Sequence, residues 1–162
     1  VEALNEFPIL NSSVVDKKVY YHSNVNLGMA VALDWGLIVP VVHRAEEKSL
    51  LGLTRSLADL AERARTKKLA PEEVQGGTFT ITNPGIYGSL VGTPVINQPQ
   101  VAILGMGAIT KRPVVTEEDA IAIRHMVYMA LSFDHRIIDG ATADRFMGRV
   151  KATLQEFPES AM

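Results

Sequence analysis

His135 stands in the stretch SFDHRIIDGATADRF (residues 132–146), with Asp134 immediately before it and Asp139 four residues after it. Four residues is about one helical turn, so a shared metal site is one chemistry this spacing allows. A general base with a supporting carboxylate is a second, because neutral imidazole takes a proton from a thiol or hydroxyl near neutral pH. The third reading is a strand end, a turn and a helix cap that contain a histidine. Metal is the weakest of the three. A bound ion needs at least a third ligand, and His22, His43 and His125 fall in other predicted elements. Gly140 also disfavours a helix running through the motif, so no metal is expected. Between base and cap the spacing does not decide.

A second place for chemistry is Thr82, at the end of the β-rich run GGTFTITN and just before Asn83-Pro84-Gly85. A hydroxyl at a strand end can donate a hydrogen bond to a developing oxyanion, and it can equally be an ordinary strand threonine. The glycines at 85, 88 and 92 do not form a phosphate loop, since no GK[ST] follows and no G-x-G-x-x-G opens a helix. Gly105 and Gly107 read as close backbone packing.

Several elements must position these residues. Val1, Leu4 and Phe7 read as the last turns of an amphipathic helix stopped by Pro8. Residues 18–22 (KVYYH), 27–33 (LGMAVAL) and 37–42 (LIVPVV) read as strands, Pro40 marking an edge position or a bulge. Ser49 then caps a helix whose apolar positions are Leu50, Leu53, Leu57, Leu60, Ala61 and Ala64, closed by Lys67 and Lys68. Pro71 opens a short turn in APEEV. The Asn83-Pro84-Gly85 triplet predicts a type II turn with positive φ at Gly85. Residues 101–109 (VAILGMGAI) and 123–134 (IRHMVYMALSFD) predict two long strands, the second leading into His135. A closing helix buries Ala143, Phe146, Met147, Val150, Leu154 and Phe157. Irregular alternation of strands and helices predicts an α/β two-layer sandwich and not a doubly wound sheet.

The chain has 162 residues, 47% of them hydrophobic and 21% charged, with a net charge of −2. This predicts one globular domain spanning residues 1–162, without the basic excess of a nucleic-acid or anionic-membrane binder. No apolar run approaches the roughly 20 residues of a membrane span. The opening VEALNEFP has no basic region typical of a signal peptide. With no cysteine, disulfides, zinc–thiolate sites and a cysteine nucleophile are excluded. The start in mid-element, without an initiator methionine, predicts an N-terminally truncated piece of a longer chain.

Taken together, FTITNPGIYGS, TPVINQPQVAILGMGAI and LSFDHRIIDGA resemble the catalytic domain of the dihydrolipoamide acyltransferases, the core components of 2-oxo acid dehydrogenase complexes. The resemblance extends through EFPILNSS, KSLLGLTRSLADLAERAR and KLAPEEVQGGTF, and so over essentially the whole chain. It implies a chloramphenicol acetyltransferase-like fold, a mixed β-sheet with flanking helices, assembled as a homotrimer and, beyond that, a cubic or dodecahedral cage. It implies that His135 is the general base toward the thiol of coenzyme A or dihydrolipoamide. By the same resemblance Thr82 of the adjacent subunit stabilises the oxyanion and Asp139 is a supporting acid. Gly88, Ser89 and Leu90, with Gly92, Thr93 and Pro94, would line the coenzyme A channel. Arg136 reads either as a local ion pair with an acid or as a structural anchor, the anchor being favoured.

Coenzyme A is then a substrate, and lipoamide comes from a lipoyl domain absent from this chain. The decarboxylase and dihydrolipoamide dehydrogenase components are the implied partners, in bacterial cytoplasm or mitochondrial matrix. A succinyl group is favoured over acetyl or branched-chain acyl by Thr82-Asn83 and the GSL…TP-IN pattern. The family domain begins with a helix and strands before the position of Val1, including a basic partner for Asp139. The C-terminal EFPESAM lacks the leucine-rich tail that docks trimers into cages. A non-catalytic core scaffold, or an enzyme of the chloramphenicol type with a small-molecule acceptor, are the alternatives.

Overall fold

The computed structural model describes residues 1–157. The chain opens with a short helix α1 (Glu2–Glu6), then a 3-10 turn over Pro8–Asn11, and a hairpin of β1 (Ser12–Val15) and β2 (Lys18–Tyr21). Asp16 and Lys17 make its tip, both at positive φ (49° and 63°). Next come β3 (Leu27–Met29), β4 (Val31–Leu33), β5 (Gly36–Ile38) and β6 (Val41–Val42), and then the long helix α2 (Leu50–Arg65). The second half holds β7 (Phe79–Thr82), β8 (Ala102–Met106), β9 (Thr110–Val115), β10 (Ile121–Met126), β11 (Met129–Phe133) and α3 (Gly140–Gln155).

Five strands form the main sheet in the order β11-β8-β7-β3-β6. The inner strands β3, β7 and β8 are parallel neighbours, and antiparallel β11 and β6 close the two edges. The sheet is therefore mixed. Its continuous apolar stretch Val101–Leu104 is buried, as expected of a strand covered on both faces. Phe146 of α3 is fully buried between Phe7 and Phe79, with ring centroids 6.1 and 5.9 Å away. Burying a large aromatic in this way contributes roughly 2–3 kcal/mol and anchors α3 to the sheet. The start of α3 is thereby fixed against the end of β11, where His135 lies.

The capping expectations hold. The Ser49 hydroxyl accepts from the Gly52 N–H at 3.1 Å, and Pro71 opens a 3-10 turn over Pro71–Val74. Three predicted long strands are each broken in two. Residues 27–33 divide at Ala30 into β3, in the main sheet, and β4, which pairs with β5. LIVPVV divides between β5 and β6 around buried Pro40, whose carbonyl accepts from the Met29 N–H at 3.0 Å. Residues 123–134 divide at Val127-Tyr128, β10 pairing with β9 and β11 joining the main sheet. A run of β-formers shows that a segment is extended, but carries no mark for where it changes partner.

The expected type II turn is a 3-10 turn over Pro84–Tyr87, and the positive φ (86°) belongs to Gly88 instead of Gly85. Gly85 is required for a different reason: a Cβ there would overlap the backbone of Gly107 and Ala108. In α3, Leu154 and, just past its end, Phe157 are exposed and do not extend the buried stripe. Of the C-terminal EFPESAM, the last five residues lie outside the described residues.

Candidate active site

His135 follows β11 in a tight turn. The Asp134 N–H donates to the Val101 carbonyl at 2.8 Å, which continues the sheet by one residue. The Asp134 carbonyl then accepts from the N–H groups of Ile137 (3.2 Å) and Ile138 (3.0 Å), reversing the chain. Ile138 is buried in the core, so the turn is pinned from beneath while His135 is exposed above it. The imidazole lies against the Phe133 ring, with centroids 5.5 Å apart.

Asp139 is the N-cap of α3, its Oδ1 accepting from the Thr142 N–H at 2.7 Å. Hydrogen bonding by the Thr142 side chain and then its N–H, with further help from Arg145 and His135, holds its carboxyl below the ordinary value. The opening motif is thus a strand end, a turn and a helix start, and Asp139, the residue expected to be a supporting acid, is a helix cap. Among the described residues no group of three His, Cys, Asp or Glu side chains could hold a metal ion.

The sequence reading left Asp134 without a role. Its carboxylate accepts from the Arg136 N–H at 3.0 Å, from Arg136 Nε at 2.9 and 3.1 Å, and from Nη2 at 2.6 Å. This pairing with the guanidinium holds the Asp134 carboxyl below its ordinary value. A polar cavity of about 240 Å³ opens beside the turn, where Asp16, Lys17, Gln98 and Gln100 face Asp134 and Arg136. The signal for this pair was an acid and a base two residues apart, one on either side of the histidine. The larger cavity, about 320 Å³ and apolar, lies between Trp35, Ile38, Ala64, Lys67 and Leu69 and touches none of the candidate residues.

Thr82 ends β7, half-buried, and leads into the segment predicted to line a channel. That segment is held by backbone contacts. The Ala108 N–H donates to the Ser89 carbonyl at 2.8 Å, and the Gly107 N–H to the Tyr128 carbonyl at 2.8 Å. A Cβ at Gly107 would overlap the Leu90 carbonyl, and one at Gly92 would press on the Pro84 ring at 3.2 Å. The Ser89 hydroxyl donates to the Val91 carbonyl at 3.1 Å. Gly88, Leu90 and Thr93 are exposed along this loop, while Ser89 and Gly92 are half-buried.

The sheet register separates the two groups. Thr82 pairs with Gly105, which pairs with Ala130, whereas Phe133 pairs with Ala102. Three residues of strand, about 10 Å, therefore separate Thr82 from Phe133 along the sheet, and His135 lies further still. Two strand spacings, together about 10 Å, separate them across it. Because β11 runs antiparallel to β7 and β8, one chain directs His135 beyond one end of the sheet and Thr82 beyond the other.

Residues 1–162 match the family described as 2-oxoacid dehydrogenases acyltransferase (catalytic domain). The chain is 49% identical over 154 residues to the succinyltransferase component of the 2-oxoglutarate dehydrogenase complex of Bartonella vinsonii subsp. berkhoffii, covering 95% of this chain and 37% of that protein. It is 48% identical over 160 residues to the acetyltransferase component of the Corynebacterium glutamicum pyruvate dehydrogenase complex, covering 96% and 24%. A Bacillus subtilis branched-chain lipoamide acyltransferase is 43% identical over 158 residues, covering 98% and 37%. The chain thus spans between 24% and 37% of the length of these relatives.

The solved structure of a probable dihydrolipoamide acetyltransferase from Listeria monocytogenes matches with a TM-score of 0.93 at 43% identity, covering 98% of this chain and 67% of that one. That of the Azotobacter vinelandii dihydrolipoamide acetyltransferase matches at 0.90 and 41%, covering 94% and 63%. Its catalytic mechanism was investigated through a serine, a histidine and, four residues beyond the histidine, an asparagine. The cubic core of a pyruvate dehydrogenase complex matches at 0.89 and 41%, covering 94% and 63%. Chloramphenicol acetyltransferase, at 15% identity and a TM-score of 0.54, shares the fold; it covers 93% of this chain and 72% of that one. By the match of its whole length and by these relatives, the chain belongs to the 2-oxoacid dehydrogenase acyltransferase family, in the part that forms the catalytic domain.

Proposed function

We propose that this chain transfers an acyl group between dihydrolipoamide and coenzyme A, in a site completed by a second copy. The observation that carries this reading is the opposed placement of His135 and Thr82 on one sheet, two groups of the types the reaction requires. His135 would take the proton of the attacking thiol. A free thiol titrates near 8.5, so a positioned imidazole supplies the thiolate without a steep uphill transfer. As the thiolate adds to the thioester carbonyl, the carbonyl oxygen gains negative charge, and the Thr82 hydroxyl of the neighbouring copy donates to it. Collapse of that intermediate expels the other thiolate, which takes the proton back from the imidazolium. Asp139 holds the turn in place through the helix cap.

The serine, histidine and asparagine studied in the Azotobacter protein support the assignment, since Thr82, His135 and Asp139 are of related types, with the same four-residue step from histidine to amide or acid. Coenzyme A would run along Gly88, Ser89, Leu90, Gly92 and Thr93, and lipoamide would be presented by a lipoyl domain. A homotrimer, a cage built from it, and work beside decarboxylase and dihydrolipoamide dehydrogenase components in cytoplasm or matrix belong to the same proposal.

Within it, succinyl transfer is the preferred activity, on the Thr82-Asn83 pair and the GSL…TP-IN pattern; relatives of all three acyl classes match. The purified protein is assayed with dihydrolipoamide and succinyl-, acetyl- and branched-chain acyl-coenzyme A. Succinyl transfer exceeding the other two is the expected result. A different preference corrects the acyl group, and no turnover with any donor removes the proposed activity in favour of a scaffold.

A further inference from the structure

His135 sits between two residues that bind each other. Asp134 and Arg136 meet through four hydrogen bonds of 2.6–3.1 Å, one to the Arg136 backbone and three to its guanidinium. The pair is asymmetric: the Asp134 side chain is 15% exposed and that of Arg136 70%. The guanidinium therefore folds back over the turn to reach a carboxylate that is largely out of solvent.

An acid is useful here for its acceptors. Asp134 has its N–H on Val101, its carbonyl on two turn amides, and both carboxylate oxygens on Arg136. Every polar group of the residue before His135 is thus committed to the turn. The cost of an anion in this place is electrostatic, because an unpaired carboxylate adjoining an imidazole stabilises the protonated ring, and a protonated ring cannot accept a thiol proton.

We propose that Asp134 and Arg136 are positioning residues for His135, a clamp that holds its backbone and supplies the cation that cancels the field of the adjoining carboxylate. This rests on the reading of His135 as the base. Other charges face the same turn. Asp139 lies across it, already capping α3 and facing Arg145; Asp16 and Lys17, of opposite sign, face it from the β1–β2 hairpin across the polar cavity. Removing Arg136 therefore leaves Asp134 as the newly uncompensated charge.

The test is a titration of His135 by NMR, with its signal identified by its loss in His135→Gln, alongside the pH dependence of kcat/KM in the same preparations. Arg136→Met should raise the His135 midpoint and the acid limb of the rate profile together, by about 0.5 pH unit. Asp134→Asn keeps an oxygen for the Arg136 N–H but leaves the cation unpaired, and should move the midpoint down. The double variant should return it close to the starting value, and Arg136→Lys should not shift it. A residue that merely stabilised the turn would lower activity in all four without moving the midpoint.

A midpoint unchanged in both single variants, or a shift that persists in the double variant, overturns the proposal. If Arg136→Met does not fold, Asp134→Asn carries the same decision with the opposite sign. A midpoint that moves while the rate profile stays in place upholds the clamp and removes His135 as the base.

Discussion

At the scale of single side chains, the roles proposed for His135 and Thr82 are separable, and Asp139 differs from both. His135→Gln removes the proposed proton acceptor and is expected to lower kcat by roughly 10²- to 10⁴-fold. Thr82→Val removes the proposed oxyanion donor, at an expected cost of about 10²- to 10³-fold in kcat, and Thr82→Ser should recover most of it. Steady-state kinetics with coenzyme A and dihydrolipoamide read both, and size-exclusion chromatography should show unchanged oligomers. Asp139 acts first through the α3 cap. Asp139→Asn keeps an oxygen for the Thr142 N–H and should retain most stability, whereas Asp139→Ala should lower Tm in a thermal melt. The placement of His135 in a turn between strand and helix was legible in the sequence because a histidine between a β-rich run and a helix start is a local pattern. The Asp134–Arg136 pairing was less so, since two residues of opposite charge pair only if the backbone between them turns.

At the scale of elements, the chain is stitched by contacts that each have a definite failure. Arg63 of α2 binds Glu73 of the following 3-10 turn through two hydrogen bonds (2.5 and 2.6 Å) and Asp59 through a third and fourth. The guanidinium and the Ala70 N–H together hold the Glu73 carboxyl at about 2, against an ordinary 4.5. A folded value below the unfolded one means that the stabilisation is complete above about pH 4.5 and lost as pH falls toward 2. Glu73→Gln should flatten that acid portion of Tm against pH, leaving the neutral portion shifted by a constant. The loop after Thr82 depends on Gly107 in another way. A Cβ there would overlap the Leu90 carbonyl, so Gly107→Ala is expected to displace residues 88–93 and raise the KM for coenzyme A. Helix caps such as Ser49 were legible because capping is settled within four residues. The breaks at Ala30, Pro40 and Val127 were not, because which strand a segment pairs with is decided by distant parts of the chain. Gly85 shows the same limit: the sequence marked a turn, but Gly107, distant in sequence, is what requires glycine.

At the scale of the whole molecule, one mixed sheet directs His135 and Thr82 beyond opposite ends. If both residues serve one centre, as proposed, different copies must supply them. Mixing His135→Gln chains with Thr82→Val chains, co-expressed so that they assemble together, should restore activity that neither has alone. With equal and random mixing, about a quarter of the centres would draw both intact residues. Mixed assemblies as inactive as their parents would return both roles to one chain. Residue spacing alone does not reveal the opposed placement, which follows from the direction of β11 relative to β7; only the family resemblance pointed to an adjacent subunit.

The antiparallel β11 has one more consequence, a matter of counting. A contact that joins the His135 end of one copy to the Thr82 end of the next is heterologous, and such contacts either close into a ring or leave two free ends. A closed ring of n copies holds n complete centres, an open row holds one fewer, and a lone chain holds none. Under the proposed division of roles, catalytic capacity follows association instead of folding, so that a fully folded population of lone chains would be idle.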